Sequence, residues 1–129
     1  MNANQSQSAV FEVGEAGFKS EVLKSKQPVL VEFSASWSRP CHIVDSVLEE
    51  VAAACAGRVK VVRVNADDNP ELSLWYEVQS IPTLLYFVDG RVRARLVGTV
   101  SKAAILAKLE GVANGEEAAT SSPTTDKKP

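Results

Sequence analysis

The run Pro28-Val-Leu-Val-Glu-Phe33 limits the possible folds of this chain more than any other stretch, because it is apolar everywhere except Glu32. Successive side chains of a strand point to opposite faces, so such a strand is apolar on both sides. Both faces then need cover, which is the pattern of a sheet held between two helical layers.

The neighbouring segments supply those layers. Residues 10–13 form a short strand candidate, and Phe18, Val22 and Leu23 recur at helical spacing. Gln27-Pro28 closes that helix, since a residue before proline disfavours the helical region. From Pro40 onward, Val44, Val47, Leu48, Val51 and Cys55 mark one apolar face of a long helix with proline in its first turn. Residues 59–64 read as a second buried strand, followed by an Asp-Asp-Asn-Pro turn and a short helix over residues 70–76. Trp75 and Tyr76 on that helix are expected in the core, the alternative being that they add exposed apolar surface. Residues 83–88 and 91–97 flank Asp89-Gly90, a hairpin signal. Ile105, Leu106, Leu109 and Val112 mark a last helix, with Ser101 as its N-cap. The order βαβαβαββα predicts an α/β fold with a central mixed five-stranded sheet flanked by four helices. It occupies one domain over residues 9–113. Residues 1–8 and 114–129 read as disordered tails, with too little apolar surface to offset the entropy of ordering.

Charge and composition exclude several classes of function. Fourteen basic and sixteen acidic side chains give a net charge of −2, which leaves no basic footprint for nucleic acid or anionic lipid. No run approaches the ~18 apolar residues of a membrane span, and the first residues show no secretory signal pattern. A cytoplasmic monomer is expected. Cys41 and Cys55 lie on one predicted helix, roughly 21 Å apart along its axis, too far for a disulfide. One histidine and two distant cysteines form no metal-ligand set, so neither metal nor cofactor is expected.

The chemistry concentrates where the first long strand meets the long helix, at Trp37-Ser38-Arg39-Pro40-Cys41. A helix N-terminus offers free N–H groups and partial positive charge, a setting that favours a thiolate. The position at the exposed end is nevertheless Ser38, and the cysteine follows three residues later.

Together these residues resemble the thioredoxin family. The likeness covers about residues 10–112 and rests on Val31-Glu32-Phe33, Trp37-Ser-Arg-Pro-Cys41, Val64-Asn-Ala-Asp67 with Asn69-Pro70, Ile81-Pro82-Thr83, Asp89-Gly90 and Gly98. The resemblance implies a thioredoxin fold and descent from protein-disulfide oxidoreductases. The family motif is Trp-Cys-Gly-Pro-Cys, and this chain departs from it. Ser38 stands at the first, nucleophilic cysteine, Arg39 at the glycine, and Ser34 at an upstream tryptophan. Cys41 matches the second cysteine. Glu32 matches the family's buried aspartate, and Ser46 a mid-helix proline.

Dithiol exchange needs an exposed thiolate and a second thiol to resolve the mixed disulfide. A serine hydroxyl does not ionise near neutral pH, and no adjacent base is evident to activate Ser38. Ser38 reads as a helix cap or as a hydroxyl that touches bound ligands. A serine substituted for a native cysteine would leave the same trace. Cys41 reads either as a buried small hydrophobe or as a monothiol nucleophile favoured by Arg39 and the helix N-terminus. Glu32 reads either as a proton acceptor for Cys41 or as a charge paired with Arg63 on the neighbouring strand. His42 is expected to point to solvent, and Cys55 to pack.

The resemblance further implies a cis bond before Pro82, which turns the Ile81 backbone outward beside the motif. An extended peptide could then add there by strand pairing. Trp37, Pro40, Ile81, Pro82 and the Val97-Gly98 turn would rim that groove, with Arg39 as a further contact. The expected function is binding of partner polypeptides, with little dithiol reductase activity. The partners are protein thiols or extended peptide segments at the Trp37/Pro82 groove. The alternative is a monothiol oxidoreductase or redox sensor that uses Cys41.

Overall fold

The computed structural model describes residues 9–115, so both predicted tails lie outside the described residues apart from Asn114 and Gly115. Strand β1 spans Phe11–Glu12, β2 Val29–Ser34, β3 Lys60–Asn65, β4 Thr83–Val88 and β5 Arg91–Val97. Helix α1 spans Glu15–Phe18 and continues as a π-helical turn over Lys19–Leu23. Helices α2, α3 and α4 span Arg39–Ala54, Pro70–Trp75 and Lys102–Ala113. The five strands form one sheet in the order β1-β3-β2-β4-β5. β1 and β2 pair with β3 in parallel, whereas β4 pairs with β2 and β5 antiparallel. The chain is therefore the mixed-sheet α/β fold expected from the element order.

All six residues of the central strand β2 are buried. Their alternation divides the core in two. Leu30 packs with Leu48 and Val51 of α2 and Ile105 and Leu109 of α4. Val29, Val31 and Phe33 pack instead with Phe18, with Leu72 of α3 and with Tyr76 just beyond it. Rings of Phe18, Phe87 and Tyr76 meet edge-on or tilted at centroid distances of 5.5–5.8 Å, geometries that aromatic pairs favour.

The Asp89-Gly90 turn has positive φ at both residues, 54° and 79°, which matches the right-handed twist of a two-residue hairpin. A Cβ on Gly90 would also lie 2.8 Å from the Leu23 carbonyl oxygen, so the turn needs glycine twice over.

Three expectations need correction. The first strand is only Phe11–Glu12, the residues in ladder register with β3, although Val10 and Val13 are buried beside it and the Val13 N–H donates to the Arg63 carbonyl at 2.9 Å. The second buried strand begins at Lys60, whose N–H is taken by Pro28, and not at Val59. Trp75 is not a core residue. The six-residue α3 turns Leu72 inward, Tyr76 follows one turn later, and Leu74 and Trp75 are left exposed.

Candidate active site and its geometry

The sheet register gathers the motif and the proline loop at one edge. Ser34 ends β2 and the chain runs directly into Trp37 and α2. Phe33 pairs with Thr83, and Thr83 with Val97, so Pro82 and Gly98 lie at that same end of the sheet. The Ile81–Pro82 peptide is cis. Thr83 Oγ1 donates to the Ser80 carbonyl at 2.6 Å, and the Gly98 N–H donates to the Pro82 carbonyl at 2.9 Å. Gly98 has φ of 92°, a conformation that glycine adopts without strain.

Ser38 is the N-cap of α2, in an extended conformation with Pro40 in the first turn. Its Oγ accepts the Cys41 backbone N–H at 3.3 Å, and its carbonyl accepts the His42 N–H at 3.2 Å. Ser38 is not the exposed position that the motif suggested, for it is only 4% exposed. The hydroxyl turns back over the helix end because four backbone N–H groups there need acceptors. Cys41 is fully buried on the inner face of α2, as is Val44 one turn later. Neither Cys41 nor Cys55 is in a disulfide.

Glu32 lies under α2. It shares the side of β2 that Leu30 presents to that helix, and Arg63 lies beside it in register on β3. Arg63 Nε donates to Glu32 Oε1 at 3.1 Å, and Arg63 Nη2 lies 3.2 Å from Asp45 Oδ1. Two carboxylates thus share one guanidinium. Burial, then the nearby Asp45 charge, push the Glu32 carboxyl up to about 8, against the pull of Arg63. Glu32 therefore favours its protonated form at neutral pH. Glu32 Oε2 has no hydrogen-bond partner among the described residues. The expected Glu32–Arg63 pair is present. Asp45 was missed because the helix periodicity was read from its apolar positions alone, although Asp45 lies one turn after Cys41.

Trp37 is 71% exposed, yet its indole is fixed, with Nε1–H donating to Asp67 Oδ2 at 2.7 Å. Asp67 is held in turn by Asn65, whose side chain accepts the N–H of Asp67 and of Asp68. His42 is exposed as expected, and its Nε2 lies 2.6 Å from the Ser36 carbonyl oxygen. Arg39, with Trp37, His42, Ile43 and Ser46, lines an open hollow on the α2 side of the motif. Pro40 is exposed and Ile81 half-buried. Among the described residues no group of His, Cys, Asp or Glu could hold a metal ion, and no helix is long and apolar enough to cross a membrane.

A five-stranded mixed sheet between helices, with a Trp-x-x-Pro-Cys helix start at the end of its central strand, is the architecture of a thioredoxin-type domain. The family model that matches residues 9–111 is that of thioredoxin, and the chain belongs to the thioredoxin family of redox proteins. It is 45% identical over 105 residues to thioredoxin of Mycobacterium tuberculosis strain H37Rv, covering 81% of this chain and 90% of that one. It is 44% identical over 103 residues to thioredoxin 1 of Nostoc sp., with 80% and 96% covered. Thioredoxin of Acidithiobacillus ferridurans is 42% identical over 102 residues, with 79% and 94% covered.

Proposed function

We propose that this thioredoxin-family protein holds partner polypeptides at the edge formed by Trp37 and the Ile81-Pro82 loop, and that it has little or no dithiol reductase activity. The carrying observation is the state of Ser38. It stands at the nucleophile position, is buried, and commits its hydroxyl to the Cys41 N–H. An oxygen so placed offers no thiolate to attack a substrate disulfide, and Cys41 alone provides no resolving partner. A recognition surface is retained beside it, since Trp37 and Val97 are both large apolar side chains left exposed. Extended segments and protein thiols are the partners this edge suits, through backbone pairing at Ile81 and apolar contact with the Trp37 ring. We place the protein in the cytoplasm, as a monomer.

Two assays test the proposal. Insulin reduction driven by dithiothreitol is expected to stay at the rate without protein, and turnover comparable to that of a two-cysteine thioredoxin overturns the proposal. Reduced, carboxymethylated lactalbumin, a permanently unfolded probe, is expected to bind the wild type and to be lost from W37A. Binding that W37A leaves unchanged removes the assigned surface.

A further inference from the structure

At the end of α2 and β2 far from Trp37, roughly 20 Å along the strand, the ends of α2 and α4 part around a groove of about 470 Å³. That volume lies within the ~300–1,000 Å³ of small-molecule sites. Leu106 and Leu109 of α4 face Val59 across it, so most of its wall is apolar. Cys55 and Tyr86 line it as well, and both are more than nine-tenths buried. Tyr86 brings its phenol to this otherwise apolar setting. Burial pushes the Tyr86 phenol up, while Arg58 lies near enough to oppose that shift.

Arg58 supplies the charge. Its guanidinium donates to the Ala54 carbonyl at 3.0 Å, at the negative end of α2, and meets no carboxylate at ion-pair distance among the described residues. Glu110 lines the same groove from α4. The positive end of the groove is thus set by Arg58 and Tyr86, and the carboxylate of Glu110 repels an anion from the other wall.

We infer that the groove between the ends of α2 and α4 binds a small amphipathic organic anion, with its carboxylate or sulfonate at Arg58 and Tyr86 and its apolar body against Leu106, Leu109 and Val59. An apolar body gains by leaving water, and the Arg58 guanidinium, which spends one N–H on the Ala54 carbonyl, has further N–H groups to donate to the anion beside the phenol hydroxyl. Cys55 lies within the same groove, so an occupant would screen its thiol. This site is separate from the motif and stands or falls independently of the partner-binding proposal.

The test uses the full-length chain and 8-anilinonaphthalene-1-sulfonate. Saturable one-to-one binding with blue-shifted emission is expected. R58Q should weaken it about fivefold, the scale of one partly exposed charge contact, and E110Q should tighten it by about twofold. Both are surface substitutions that leave the core intact. R39Q, beside Trp37, should change nothing, and saturating probe should slow alkylation of Cys55, followed by peptide mass spectrometry. The proposal is overturned if the full chain does not bind the probe, if R58Q and E110Q bind as the wild type does, or if R39Q alone removes binding.

Discussion

The hydroxyl of Ser38 accepts the backbone N–H of Cys41 at 3.3 Å, so the oxygen at the nucleophile position and the surviving thiol belong to one helix cap. A capping serine contributes about 0.5–2 kcal/mol. S38A should therefore lower the unfolding free energy by about that amount in urea titration, with insulin reduction still at background.

S38C should behave differently. It places a sulfur at the start of α2, where the helix N-terminus stabilises a thiolate, with Cys41 one turn away to resolve it. Dithiothreitol-driven insulin reduction should rise well above the wild-type rate. An S38C protein that folds but stays inactive would show that Glu32, Arg39 or Ser34 has also left the scaffold unfit for exchange.

Cys41 is expected to be slow towards thiol reagents in the native protein, because the thiol is wholly buried. Labelling with a maleimide should accelerate sharply once urea unfolds the chain. Native Cys41 reacting as fast as a free cysteine would instead favour monothiol chemistry.

Stability should fall with rising pH through the Glu32 carboxyl. Its proton is bound more tightly in the folded chain, about 8 against an ordinary 4.5, so its contribution is complete below about pH 4.5 and is lost as pH rises through about 8. The slope from this group is at most about 1.4 kcal/mol per pH unit. E32Q, which cannot ionise, should flatten the profile of urea midpoints between pH 5 and pH 9. D45N should flatten it in part, by removing the charge that Glu32 faces.

Trp37 is oriented by Asp67 through a 2.7 Å hydrogen bond. D67A should leave stability within about 1 kcal/mol, since the bond is exposed, but it should free the indole. Weaker retention of carboxymethylated lactalbumin by D67A, with the fold intact by circular dichroism, is the expected result.

Much of this architecture was legible in residue order alone. The all-apolar run around Glu32 requires cover on both faces of β2, and the structure buries that whole strand. Asp89-Gly90 specifies its hairpin through local backbone preference, and the apolar periodicity after Pro40 marks the inner face of α2. These are short-range consequences of alternation, helical period and turn chemistry, so the sequence by itself determined them. Tertiary structure decided what depends on neighbours distant in the chain. Asp45 acts on Glu32 because helix α2 lies across β2 and β3, and Trp37 is fixed by Asp67 because two loops meet at one sheet edge. Ser38 is buried, and Trp75 exposed, through packing that no local pattern encodes. Burial, shared charges and hydrogen bonds between separate segments follow from how elements pack, and packing is fixed only once the whole chain has folded.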